Sequence, residues 1–152
     1  MSFRGALCAG IMHLDYAIVR GIFVAARILI VDDSPLVRQR LRALLEHHPD
    51  WSVCAEAANG KEAVSKVKEL APDLIVLDFM MPVMNGLQAA RAISSLVPGV
   101  PILMFSMHMS RQLLEEAQSA GARGAVLKTD TRNVVEGVEA LLRHESYFHP
   151  PQ

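Results

Sequence analysis

Residues 74–86 read LIVLDFMMPVMNG, four apolar residues that end on an aspartate, Asp78, and run through Met-Met-Pro to an Asn-Gly turn. A strand whose side chains are buried has no reason to end on a charge unless something at its tip uses it, because an unpaired buried carboxylate is costly. The neighbouring segments repeat the pattern. Arg27 to Val31 (RILIV) is a β-branched run followed at once by Asp32 and Asp33, and Ser34-Pro35 supplies an N-cap and a first-turn proline for a helix. Val37, Leu41, Leu44 and Leu45 recur at helical spacing, and His47, His48 and Pro49 close that segment.

The alternation continues to the end of the chain. Trp51 to Ala57 reads as a second strand, and Asn59-Gly60-Lys61-Glu62 opens a second helix that buries Ala63, Val67 and Leu70. Leu74 to Leu77 is the third strand and Asn85-Gly86 starts a third helix through Leu96. Pro101 to Phe105 is the fourth strand, Ser110 caps a helix to Ala120, Gly124 to Leu127 is the fifth strand, and a last helix spans about Thr131 to Arg143. Parallel strands need crossovers, and right-handed crossovers lay helices over both faces of the sheet. The fold expected is therefore α/β, a doubly wound five-stranded parallel sheet with five helices. Such sheets carry their sites at the carboxyl ends of the strands.

Composition narrows the classes of function. At 152 residues and 51% hydrophobic content the chain suits one domain with its own core. A formal net charge of −1 leaves no excess positive charge to neutralise a row of phosphates, which argues against nucleic acid as a direct partner. Cys8 and Cys54 show no metal spacing and read as ordinary thiols of a reducing compartment, so a cytoplasmic location is expected. Residues 1–26 contain two apolar runs broken by His13, Asp15 and Arg20, neither near the roughly 20 residues that a bilayer span needs. They are expected to form a poorly ordered extension, with Val24 or a neighbour as an alternative beginning and no membrane partner. Residues 27–143 form the domain and 144–152 a C-terminal tail.

The strand ends then place Asp32 and Asp33, Asp78, Ser106 and Lys128 on one rim. Singly, each is an ordinary cap, turn former or surface residue. Together, crowded carboxylates persist only when a cation or an added proton offsets their repulsion, and an oxygen-only set suits a hard divalent ion, Mg²⁺ above others. Lys128 offers a point charge and Ser106 a neutral donor to a phosphoryl group at Asp78, a chemistry that needs positioning and neutralisation more than acid-base catalysis.

ILIVDDSP, LIVLDFMMPVMNG, PILMFS and GAVLK, in this order, resemble the motifs of response-regulator receiver domains of two-component signalling, over residues 27 to about 143. The resemblance implies a flavodoxin-like sheet of strand order 2-1-3-4-5. It implies Asp78 as phosphoacceptor, with Asp33, Asp78 and the backbone carbonyl of Met80 as direct Mg²⁺ ligands and Asp32 assisting through water. Ser106 and Lys128 would bind phosphoryl oxygens, and Pro82 and Gly86 would shape the loop and helix start after the acceptor. A histidine kinase or phosphotransfer protein would be the donor, and a downstream protein the recipient of the signal. Phosphorylation-dependent homodimerisation through the fourth and fifth helices and fifth strand is a further implication. The chain would be no enzyme beyond its own phosphorylation and dephosphorylation, and Met80 and His108 are placed to shield or admit the hydrolytic water.

Two positions depart from the family pattern. Ala125 stands where an aromatic residue usually reports phosphorylation, and Thr129 follows the lysine where a proline, commonly cis, is usual. The last residues, LLRHESYFHPP, resemble the passage into a linker of helix-turn-helix regulators. Two competing readings follow. One is a receiver-like interaction module that is never phosphorylated. The other is a Mg²⁺-dependent phosphohydrolase, disfavoured because Met80 stands where such enzymes carry an acid for the leaving group.

Overall fold

The computed structural model describes residues 25–148. Five strands, β1 (Ala26–Val31), β2 (Trp51–Ala57), β3 (Leu74–Asp78), β4 (Ile102–Ser106) and β5 (Gly124–Leu127), alternate with five helices. These are α1 (Pro35–Glu46), α2 (Gly60–Leu70), α3 (Gly86–Leu96), α4 (Arg111–Ser119) and α5 (Thr131–Leu142). Every helix begins at a side chain that accepts from a first-turn amide: Ser34, Asn59, Asn85, Ser110 and Asp130. At α3 the pairing is reciprocal, with Asn85 accepting from the Gln88 amide and Gln88 accepting from the Asn85 amide, both at 2.9 Å.

All pairings in the sheet are parallel, in the order β2-β1-β3-β4-β5 expected from the sequence, with one addition. A two-residue strand β6 (Tyr147–Phe148) joins the outer edge of β5. Those residues were expected to lie in a tail. Their pairing depends on a close approach: a Cβ on Gly124 would come within 2.7 Å of the Tyr147 carbonyl oxygen, so only glycine admits the strand there. Strand β4 begins one residue after Pro101, which has no amide to donate but whose carbonyl still accepts from Ile75 at 3.0 Å. The N-terminal extension before Ala25, with Cys8 and His13, and the tail beyond Phe148 lie outside the described residues.

The pleat divides the core in two. Leu29, Val31, Ile75, Leu77, Met104 and Ala125 face α2, α3 and α4, while Ile28, Ile30, Val76, Phe105 and Val126 face α1 and α5. Continuing by steps of two, Ile30 leads to Asp32, Val76 to Asp78 and Val126 to Lys128. The same face that is apolar inside the sheet thus becomes charged at its carboxyl end. His48 stacks on Trp51 with ring centroids 3.9 Å apart and is half-buried. Among the described residues no peptide bond is cis, so the bond between Lys128 and Thr129 is trans as expected.

Candidate functional site

Among the described residues the buried polar or charged side chains are Asp32, Asp78 and Ser106, each at the carboxyl end of a strand. Burial of polar groups is tolerated when they are paired, so their partners show what the rim is built to do. Lys128, just past β5, donates to Asp32 Oδ2 at 2.6 Å and lies 3.1 Å from Asp78 Oδ1. One ammonium thus bridges two carboxylates. Asp32 also accepts from the Ser34 amide at 2.9 Å through Oδ1, and its backbone carbonyl accepts from Arg38 at 2.7 Å. Asp78 Oδ1 accepts from the Met80 amide at 3.3 Å, which folds the loop back on the acid.

Asp33 is exposed, yet it belongs to the same group: ligand oxygens of Asp32, Asp33 and Asp78 all lie within 4.8 Å of one another. Three carboxylates against one lysine leave a local excess of negative charge. Burial and the charge of Asp32 push the Asp78 carboxyl above its ordinary range, against the pull of Lys128. Burial disfavours the Lys128 ammonium, but its hydrogen bonds to Asp32 and Asp78 outweigh this and raise its pKa. An all-oxygen donor set of this size suits a hard divalent cation such as Mg²⁺. No helix among the described residues is long and apolar enough to cross a membrane.

Ser106 occupies the end of β4 next to these groups, but its hydroxyl is turned into its own loop. It donates to the His108 carbonyl at 2.7 Å and accepts from the His108 amide at 3.3 Å. The link to Lys128 is through the backbone, where the Lys128 amide donates to the Ser106 carbonyl at 2.8 Å. Two supporting residues escaped the sequence reading. Phe105 lies beneath Lys128, with Nζ 5.4 Å from the ring centroid, and Arg38 holds the Asp32 carbonyl. In the sequence Phe105 is one more apolar strand residue, whereas Arg38 stands one turn beyond the Ser34 cap that follows Asp32-Asp33, a spacing that returns its side chain to the acids. Gly86 has a plain role: a side chain there would run into the Asp78 carbonyl. Ala125, at the position of the expected aromatic, is fully buried and in register with Phe148.

Residues 28–139 match the model of the response regulator receiver domain. A protein-glutamate methylesterase/protein-glutamine glutaminase 1 of Methanosarcina mazei is 45% identical over 119 residues, covering 76% of this chain and 33% of that protein. The transcriptional regulatory protein LnrK of Bacillus subtilis is 35% identical over 126 residues, covering 83% of this chain and 57% of that protein. The chain therefore spans between a third and about three-fifths of these relatives. Among solved structures, a LuxR-family two-component response regulator from Aurantimonas sp. SI85-9A1 superposes with a TM-score of 0.79 at 38% identity, over 81% of this chain and 89% of that one. With the acids, the lysine and the sheet order that the motifs imply all in place, the chain belongs to the response regulator receiver domains of two-component systems.

Proposed function

We propose that this receiver is a phosphoacceptor: Asp78 takes a phosphoryl group from a histidine kinase or phosphotransfer protein, and the modified domain signals by protein-protein contacts. The observation that carries this reading is the three-carboxylate cluster, two of whose members are bridged by one half-buried lysine. As a pure ion-pair arrangement it is unbalanced, three carboxylates against one ammonium, and a divalent cation would offset the excess and leave the site able to receive a phosphoryl group.

In the transfer, the nitrogen–phosphorus bond of a donor phosphohistidine breaks as an Asp78 oxygen bonds to phosphorus, and the imidazole leaves with the electron pair and takes up a proton. Asp33, Asp78 and the Met80 carbonyl would hold Mg²⁺ directly and Asp32 through water; when bound, the ion neutralises phosphoryl oxygens. Lys128 supplies the positive charge from the protein side. Ser106 serves as the donor to a phosphoryl oxygen once its hydroxyl leaves the His108 carbonyl. Leu36, Met80, Val83 and Met107 are exposed apolar residues on segments that follow β1, β3 and β4, a surface suited to a donor protein rather than to a small substrate. Output, including any homodimer, runs through α4, β5 and α5. The reaction modifies the chain's own side chain and turns over no separate substrate.

Intact mass after incubation with Mg²⁺ and acetyl phosphate tests this. One phosphoryl addition is expected, dependent on Mg²⁺ and lost in Asp78→Asn. A folded protein that stays unmodified would favour the receiver-like interaction module. Met80→Asn and His108→Ala are expected to change the rate at which the added mass disappears; unaltered rates would remove both residues from the control of water.

A further inference from the structure

Asp33 differs from the two other members of the acid cluster. Asp32 and Asp78 accept backbone hydrogen bonds and share the Lys128 ammonium. Among the described residues, no hydrogen bond or ion pair holds the exposed Asp33 carboxylate. What its carboxylate can reach is therefore set by the backbone, through the peptide that joins it to Asp32.

That peptide is held from β2, the edge strand. Its carbonyl, that of Asp32, accepts from Arg38 Nη1 at 2.7 Å. Arg38 Nε donates to Glu56 Oε1 at 2.9 Å, so one planar guanidinium spans from the edge strand to the acid loop. The Asp32 amide is tied to the same strand, donating at 3.1 Å to the carbonyl of Ala57, the residue after Glu56. Glu56 is itself fixed by a second arginine, since Arg42 Nε donates to its other oxygen at 2.8 Å. The two arginines lie one turn apart on α1, and Arg38 is the one that bonds to the acid loop. A positive charge beside a site that gathers carboxylates for a cation would oppose that cation if charge were its role. The bonds of Arg38 go instead to a backbone carbonyl and to a carboxylate outside the cluster, and both fix geometry.

We propose that Arg38, anchored on Glu56, is a positioning residue of the cation site: it fixes the Asp32–Asp33 peptide so that the Asp33 carboxylate stands ready beside that of Asp78. A divalent ion then binds without reordering the loop. The role rests on the reading of Asp33 and Asp78 as Mg²⁺ ligands given above. Residues that orient ligands without touching the ion commonly change metal affinity by about ten- to a hundredfold when removed.

Mg²⁺ titrations of the full chain, followed by the amide NMR shifts of Asp33 and Met80, test this, with urea unfolding in the absence of Mg²⁺ as the check that each variant is folded. Arg38→Gln should weaken Mg²⁺ binding about tenfold. Loss of the positive charge alone would tighten it, so the two explanations predict opposite signs. Arg38→Lys keeps the charge but lacks the two-armed fork, and should also weaken binding several-fold. Glu56→Gln, which loosens the anchor, should do so to a lesser extent. Arg42→Gln removes an equal charge from Glu56 without touching the acid loop and should leave the affinity within about twofold of the parent. Unchanged or tighter binding in a folded Arg38→Gln or Arg38→Lys overturns the positioning role. So does an Arg42→Gln loss as large as that of Arg38→Gln, which would trace the effect to the packing of α1 on β2. A parent chain that takes up no Mg²⁺ removes the reading of Asp33 and Asp78 as ligands, and the positioning role with it; a parent that binds beside variants that bind equally well removes the positioning role alone.

Discussion

Asp78 and Glu56 are carboxylates on strands of the same sheet, yet their surroundings act on them in opposite directions. Glu56, on β2, sits between Arg38 and Arg42 at 2.9 and 2.8 Å, and the hydrogen bond from Arg42 holds its carboxyl below the usual range, helped by Arg38. Asp78 shares one lysine with Asp32 and is raised by burial and by that neighbour. The first arrangement spends charge on holding α1 to β2. The second leaves charge poorly balanced, as the proposed phosphoacceptor role would require, at the expense of stability.

Removing the lysine should break the contrast most strongly. Lys128→Met leaves buried acids without their shared cation and is expected to cost about 3 kcal/mol at neutral pH, within the range for breaking a buried pair. Urea unfolding reads the loss, and added Mg²⁺ should recover part of it. Equal stability with and without the lysine would mean that the acids are not under mutual strain.

Asp78→Asn should move stability the other way, upward, because it removes a carboxylate whose charged form burial and the Asp32 charge disfavour. The folded-state pKa of Asp78 lies above its ordinary value of 3.8, so between the two values the folded state holds more protons and stability falls as pH rises. The gain from Asp78→Asn should therefore be full above the raised pKa, fade as the pH falls from it towards 3.8, and be gone below 3.8. A variant less stable than the parent at neutral pH would show that the carboxylate stabilises the fold.

Glu56→Gln sharpens the comparison at its quieter end. Its pKa is lowered from 4.5, so its contribution is present above that value and lost as pH falls through the depressed one. The pair is partly exposed, and the expected cost is under about 1 kcal/mol at neutral pH. Thermal melts at neutral and acid pH check it: the difference between parent and variant should vanish in acid.

The contrast also marks how far the residues could be read in advance. The strand-ending acids, the caps at Ser34, Asn59 and Ser110, and the lysine after GAVL are local signals, each carried by spacing within a few residues. Two placements were not legible. The Ser106 hydroxyl holds the His108 carbonyl, a partner that the sequence does not indicate. Tyr147 and Phe148 were read as tail because a two-residue aromatic run has no periodicity of its own.

The sequence by itself determined the alternation of strands and helices, the sheet order through its resemblance, and which polar residues stand at strand ends, because each follows from local periodicity, capping chemistry or motif. Only the tertiary structure decided which atoms meet. Lys128 reaches Asp32 across 96 residues of chain, Arg38 turns back to the Asp32 carbonyl, and Phe148 finds Ala125 through a pairing that Gly124 permits. Such contacts depend on how distant segments pack, and a choice of rotamer or of edge partner leaves no trace in local pattern.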